Sequence, residues 1–238
     1  MTLILFSCGI FFLAGSVQGL TGFGGALVAI PLLSLIMDVK QAVPLAILNG
    51  LVVTTTLVYT LRRYLDWRKI LPLLAGSVPG IILGTALLKQ ANPAVISRLL
   101  GLILVAISLF NLRFAPKPIN PARIWGYIAG FFSGAINATV GAGGPPAIIY
   151  TTLHDWKKDE IRATLTGFFV LNGYVTAAVH AGSGIITGQT VKLFAFTCGC
   201  VLLGTMAGSR LSSRIPRRTY LRLIYLLLMV LGIMLVYK

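Results

Sequence analysis

The sequence predicts an all-α polytopic membrane protein of two inverted-topology repeats, each a glycine-broken helical hairpin followed by three transmembrane helices. Three observations lead there. Of 238 residues, 57% are hydrophobic and 11% charged, where a soluble domain carries about 25% charged residues. The apolar residues gather into segments at 2–37, 41–61, 70–88, 99–112, 124–153, 163–181, 193–209 and 223–237, several of them close to the ~20 residues that a membrane crossing requires. The order long, medium, medium, short occurs twice, which signals an internal repeat.

Direct comparison supports the repeat. A shift of 119 pairs Gly15, Gly22, Gly24, Gly25 and Ile30 with Gly134, Gly141, Gly143, Gly144 and Ile149. A shift of 124 pairs Gly80, Gly84, Arg98 and Leu99 with Gly204, Gly208, Arg222 and Leu223. Between the halves lies FAPKPINPAR, 114–123, whose prolines stop helices on both sides. The first repeat is thus 1–113, the linker 114–123 and the second repeat 124–238, together one membrane domain.

The long segments decide the topology. As one helix, 2–37 would run about 54 Å at 1.5 Å per residue, while the hydrocarbon core is about 30 Å thick. If each long segment crossed once, the 20 Lys and Arg would split 9 to 11 between the two sides. If each returns to its starting side as a hairpin, the split becomes 15 to 5, and basic residues concentrate on the cytoplasmic face. The hairpin reading places both termini outside the cytoplasm. Two such halves in series face opposite ways, the build of many secondary transporters. Each arm is expected to hold about 13 residues, roughly 20 Å. The last segment of each half is short, so Arg98 and Arg222 are expected inside their helices, with the side chains reaching outward.

The hairpin turns carry the glycine clusters GLTGFGGALVAIP, 19–31, and GAGGPPAIIY, 141–150. After each, a helix is expected to begin, near Gly25 and Gly144, with Pro145 and Pro146 suited to a first turn. A helix start exposes unpaired N–H groups and the positive end of a dipole. Two facing starts make an anion site without a charged side chain. The candidate site is therefore Gly22, Gly24, Gly25, Gly141, Gly143 and Gly144, with Gln18, Thr21, Asn137 and Thr139 as neutral polar neighbours. Asn49, Asn172 and Tyr174, in the second segment of each half, are further candidates, with helix–helix hydrogen bonding as their competing role. For the GxxxG pairs Gly80/Gly84 and Gly204/Gly208, close helix packing is the expected role.

Other classes are excluded or weakened by the same residues. The net charge of +15 suggests nucleic acid, but the basic residues lie in short loops and at span ends, where they signal orientation. No metal-ligand cluster, Ser/His/Asp arrangement or intramembrane carboxylate pair is visible, so no enzyme, cofactor or metal is expected. A membrane-embedded lipid pyrophosphatase, which could also use paired hairpins, needs intramembrane Glu, Arg or His for its chemistry, and the spans lack Glu. A passive anion channel is the other alternative. The acids Asp38, Asp66, Asp155, Asp159 and Glu160 are all expected in loops. His180, expected near the outer end of its segment and so read mainly as an interfacial histidine, is the one candidate there whose ordinary pKa lies near neutrality. Cys8, Cys198 and Cys200 read as small packing residues, with thiol chemistry as the alternative. No Lys or Arg precedes Lys40, so a basic signal-peptide start is missing.

The paired motif, GFGG in the first half and GAGG in the second, with the basic loop after the second segment and the repeated GxxxG, resembles the TauE/SafE sulfite exporter family, also called the 4-toluene sulfonate uptake permease family. The resemblance covers about residues 5–237. It implies inner-membrane transport of small sulfur-containing anions such as sulfite, sulfonates or sulfoacetate, with membrane lipids as surroundings. It points to Gly22, Gly24, Gly25, Gly141, Gly143 and Gly144 as site residues. Phe23 stands where the second half has Ala142, so the halves of the site differ, which would suit an anion with one organic end.

Overall fold

A computed structural model describes residues 2–21, 24–113, 119–211 and 217–237. Ten α-helices follow in order among them: α1 Thr2–Thr21, α2 Gly25–Ile36, α3 Val39–Leu61, α4 Trp67–Gln90, α5 Pro93–Arg113, α6 Ile124–Val140, α7 Gly144–Thr152, α8 Lys158–Gly182, α9 Gly188–Leu211 and α10 Arg217–Tyr237. A single 3₁₀ turn, Arg62–Tyr64, closes α3. Four of these helices, α1, α3, α4 and α9, are long and apolar enough to cross a membrane.

Local sequence explains the boundaries. Asp38 caps α3 by accepting from the Lys40 amide at 2.8 Å, and Asp66 caps α4 from the Arg68 amide at 3.0 Å. Asn92 does the same for α5 at the Ala94 amide, with Pro93 as the first helical residue. That cap extends α5 upstream of its apolar segment to 21 residues, so Arg98 lies inside the helix, as Arg222 lies inside α10.

The two hairpins differ from the expected equal arms. The first arm, α1, has 20 residues and the second, α2, has 12. In the second half α6 has 17 and α7 has 9. The breaks fall where the glycines stand, not at the middle of each apolar run. At about 1.5 Å per residue, α1 reaches across the hydrocarbon while α2 and α7 go only part of the way.

The most extensive helix pairs are α4 with α6, α1 with α9, α5 with α10, and α3 with α8. Glycines set the first two. A Cβ on Gly204 or Gly208 would fall on the Phe12 or Ser16 carbonyl, and one on Gly15 or Gly19 on the Val201 or Thr205 carbonyl. The numbers climb together, so α1 and α9 run parallel. In α4/α6, Gly76, Gly80 and Gly84 face Tyr127, Phe131 and Ala135, again parallel, while Gly130 and Gly134 face Leu73 and Ser77. In α5/α10, Gly101 approaches Val236 and Gly232 approaches Val105, so these helices run antiparallel. The GxxxG pairs thus have the packing role their spacing predicts, with backbones in contact as small residues allow in lipid.

Polar contacts mark the two ends. At one, the Lys69 ammonium meets the Glu160 carboxylate at 2.9 Å and ties α4 to α8, with Lys69 also lying over the Trp156 ring. At the other, Lys40 Nζ donates to the Lys89 carbonyl and Lys89 Nζ to the Ser183 carbonyl, each at 3.0 Å. These lysines satisfy carbonyls that end α4 and α8. Between the ends, large apolar side chains face outward on several helices, among them Phe6, Ile82, Leu102, Phe196 and Leu203, a surface suited to an apolar solvent.

Candidate functional site

Both hairpin turns are built by glycine conformation. Gly24 precedes α2 at φ 90°, and Gly141 ends α6 at φ 66° with its N–H donated to the Asn137 carbonyl at 2.8 Å. Both angles lie in the left-handed region, which costs an L side chain roughly 1–2 kcal/mol. α2 then starts at Gly25 and α7 at Gly144, with Pro145 and Pro146 in the first turn of α7.

Each helix start is seated on its partner arm by a second glycine. Gly25 presses on Gln18 and on the Ala14 carbonyl, which a Cβ would approach to 3.1 Å. Gly143 presses on Asn137 and Ser133, and the Ser133 hydroxyl donates to the Gly143 carbonyl. Gln18 and Asn137 are 119 apart, as are Ala14 and Ser133, so the floors correspond. The seated glycines, 25 and 143, are 118 apart. The motif therefore slips by one residue between halves, leaving Gly24 open in the first and Gly144 open in the second.

Between the two starts lies a cavity of about 110 Å³. One wall is amide: Gln18, Asn137, Asn172 and the backbone of Gly24, Gly25 and Gly141 to Gly144. The rest of the lining is largely apolar, with Leu51, Ile148 and Phe169 prominent. No acidic or basic side chain is among the described residues lining it. The first-turn amides of Gly25, Ala26 and Leu27 have no intrahelical acceptor. On the facing side Pro145 and Pro146 carry no N–H, so the Gly144 amide is the donor α7 presents.

A hydrogen-bond chain fixes the orientation of Asn172. The Thr176 hydroxyl donates to the Asn172 carbonyl at 2.7 Å. Its proton thus committed, it accepts from Asn137 Nδ2 at 3.2 Å. That sets the Asn137 amide, whose Nδ2 also donates to Asn172 Oδ1 at 2.9 Å. Asn172 Nδ2 is left buried without a partner, on a residue only 2% exposed that lines the cavity. An unmet buried donor costs about 1–3 kcal/mol, and an acceptor in the cavity would remove that cost.

Of the sequence candidates, Gln18, Gly24, Gly25, Asn137, Gly141, Gly143, Gly144 and Asn172 meet at this cavity. Gly22 and Phe23 lie outside the described residues, as does the side chain of Thr21. Three candidates are not brought to it. Thr139 faces α4, its hydroxyl 3.0 Å from the Gly84 carbonyl and 2.8 Å from that of Ala135. Asn49 donates to the Leu45 carbonyl and to Thr197 Oγ1 on α9, each at 3.0 Å. Tyr174 is 53% exposed and its hydroxyl meets Thr55 Oγ1 at 3.2 Å. Each ties helices together, the competing role for such residues. His180 is fully buried with Nε2 3.1 Å from the Ala138 carbonyl, so it is no outer-surface histidine. Leu51, Thr54 and Phe169, unmarked by any motif, and Ile148, within the 141–150 cluster but not singled out, line the cavity. Their signal was only position, within a turn or so of Gly50, Gly144 and Asn172.

A bundle of outward-apolar helices enclosing a small neutral cavity has the build of a multi-pass membrane transporter. The chain belongs to the sulfite exporter TauE/SafE family, whose model matches residues 7–235. It is similar to the probable membrane transporter protein YunE of Bacillus subtilis (strain 168), 24% identical over 269 aligned residues that cover 95% of this chain and 94% of that protein. No solved structure matches it.

Proposed function

We propose that the protein carries a small sulfur oxyanion, sulfite or an organosulfonate, across the bacterial inner membrane by alternating access around the amide-walled cavity. The observation that carries this reading is the small neutral cavity on which the starts of α2 and α7 converge, lined also by Asn172, whose Nδ2 is buried and unpartnered. Several donors converge there with no acidic acceptor, the requirement for an oxyanion. The apolar lining of Leu51, Ile148 and Phe169 would receive an organic substituent. Sulfur as the central atom rests on the family, not on the geometry.

Two inverted repeats, 1–113 and 124–238, supply the alternating access. Exchanging the halves turns the α1/α9 pair into α6/α4 and leaves α3/α8 and α5/α10 as pairs, and the sequence-equivalent α5 and α10 run in opposite directions. The 15 basic residues assigned to one side include Lys69, at the α4/α8 end, and the 5 on the other include Lys40 and Lys89. The first end is therefore cytoplasmic and both termini are external.

Two experiments test this. In proteoliposomes, sulfite flux should saturate and be stimulated by sulfite on the opposite side; a non-saturating conductance would instead make the protein a channel. In a cysteine-free background, Tyr64→Cys and Gln189→Cys, both exposed, should label with an impermeant maleimide from opposite faces of oriented vesicles. Labelling from the same face would end the inverted-repeat reading.

A further inference from the structure

We infer that the cavity is selective for charge state: it takes monoanions such as hydrogensulfite and sulfonates and rejects dianions such as sulfite and sulfate. This rests on the proposed oxyanion site and adds to it the ionic form of the substrate.

Burying an ion in a low-dielectric site is unfavourable unless it is paired, and the penalty grows with the square of the charge. No Asp, Glu, Lys, Arg, His, Cys or Tyr is among the described residues lining the cavity. The positive ends of α2 and α7 carry about half an elementary charge each, together about that of one proton. A monoanion is matched by this; a dianion meets four times the single-charge burial penalty and still keeps one negative charge uncompensated. Donor supply points the same way. The two prolines of α7 leave Gly144 as its donor, while much of the lining is apolar and offers a second charged face of the anion nothing.

The titratable groups of the surrounding helices are engaged elsewhere. Cys8 of α1 points to the Phe196 carbonyl, and Lys40 of α3 to the Lys89 carbonyl. Tyr59 of α3 lies under the Arg62 guanidinium, Tyr127 of α6 is exposed, and Tyr150 of α7 packs edge-on to His154. On α8, Glu160 pairs with Lys69, Asp159 and Arg162 are exposed, and Tyr174 and His180 bond Thr55 and the Ala138 carbonyl. α2 carries none. Behind these, Lys89 of α4 caps the Ser183 carbonyl, and Cys198 and Cys200 of α9 face carbonyls of their own helix. None supplies a second positive charge at the cavity.

One consequence concerns coupling. If sulfite moves only as hydrogensulfite, each anion takes a proton with it, and a pH gradient drives its movement without any proton-carrying carboxylate in the spans.

The test compares ligands of fixed and variable charge on the purified full chain in detergent, by calorimetric titration across neutral and alkaline pH. Methanesulfonate is a permanent monoanion, sulfate a permanent dianion of similar tetrahedral shape, and sulfite changes from one to the other. The apparent Kd of sulfite should rise about tenfold per pH unit once the ligand has lost its last proton. That of methanesulfonate should stay nearly flat, and sulfate should compete with neither. Methanesulfonate reports any titration of the protein's own groups, so the ratio of the two curves isolates the ligand's proton. Sulfate binding as tightly as methanesulfonate, or parallel sulfite and methanesulfonate curves, would overturn the charge selectivity alone. Failure of all three anions to bind would overturn the oxyanion site and this inference with it.

Discussion

Gly80→Val should leave little folded, monodisperse protein, the largest stability effect expected of any single substitution here. The β-carbon alone would fall on the Phe131 carbonyl oxygen and within 2.9 Å of the Ala135 amide nitrogen. These are backbone atoms of a regular helix, so no rotamer change can clear the space. Overpacking against side chains that can adjust already costs about 1–3 kcal/mol. Here α4 and α6 would have to separate along a seam that also holds Gly76, Gly84, Gly130 and Gly134, against a total stability of roughly 5–15 kcal/mol. Gly9→Ala is the contrast. Nothing lies within 4 Å of a Cβ there, and its effect should stay within about 0.5 kcal/mol. Size-exclusion profiles and melting curves of the two variants in the same detergent check this. A Gly80→Val protein melting within a few degrees of the parent would mean that the seam is not load-carrying.

The fold is legible in the sequence where one residue type admits one physical explanation. Glycine clusters interrupting membrane-length runs marked the turns, and the helix starts fall at Gly25 and Gly144 as the motifs indicate. GxxxG spacing marked backbone seams, although their partners, α9 for α1 and α6 for α4, became known only from the structure. The sequence is less informative for polar residues in apolar helices. A buried Asn or Thr signals that a partner exists but not where. Asn172 proved to line the cavity, while Asn49, Thr139 and Tyr174 bond neighbouring helices. The last turn of a helix was equated with the membrane surface in the case of His180, yet α6 covers that turn through the Ala138 carbonyl. Leu51, Ile148 and Phe169 look like any other apolar residue until three separate helices bring them around one cavity.

The slip of one residue between the motifs decides which glycine can test the cavity. Gly24 and Gly143, equivalent by the 119-residue shift, are poor choices. A side chain at Gly24 is strained by its φ of 90°, and one at Gly143 strikes the Ser133 carbonyl and Asn137. Loss of binding in either variant would not distinguish a filled site from a damaged fold. Gly144 carries neither burden. Its φ is not positive, and a Cβ there would stand 3.5 Å from Ile148 Cδ1 and 3.8 Å from Phe169 Cζ, ordinary contact distances inside the cavity. Gly144→Val should therefore lose far less stability than Gly143→Val, its cost confined to placing a branched residue before Pro145, while its side chain occupies the space in front of the α7 amide. Loss of that charge-assisted contact and of room for the anion should weaken methanesulfonate binding at least about tenfold, or 1.4 kcal/mol. Gly144→Ala should fall between the variant and the parent, and Gly143→Val should lose stability and binding together. Unchanged affinity in a stable Gly144→Val protein would remove the amide wall from the substrate's path, because no anion could sit against α7 with a valine in that place.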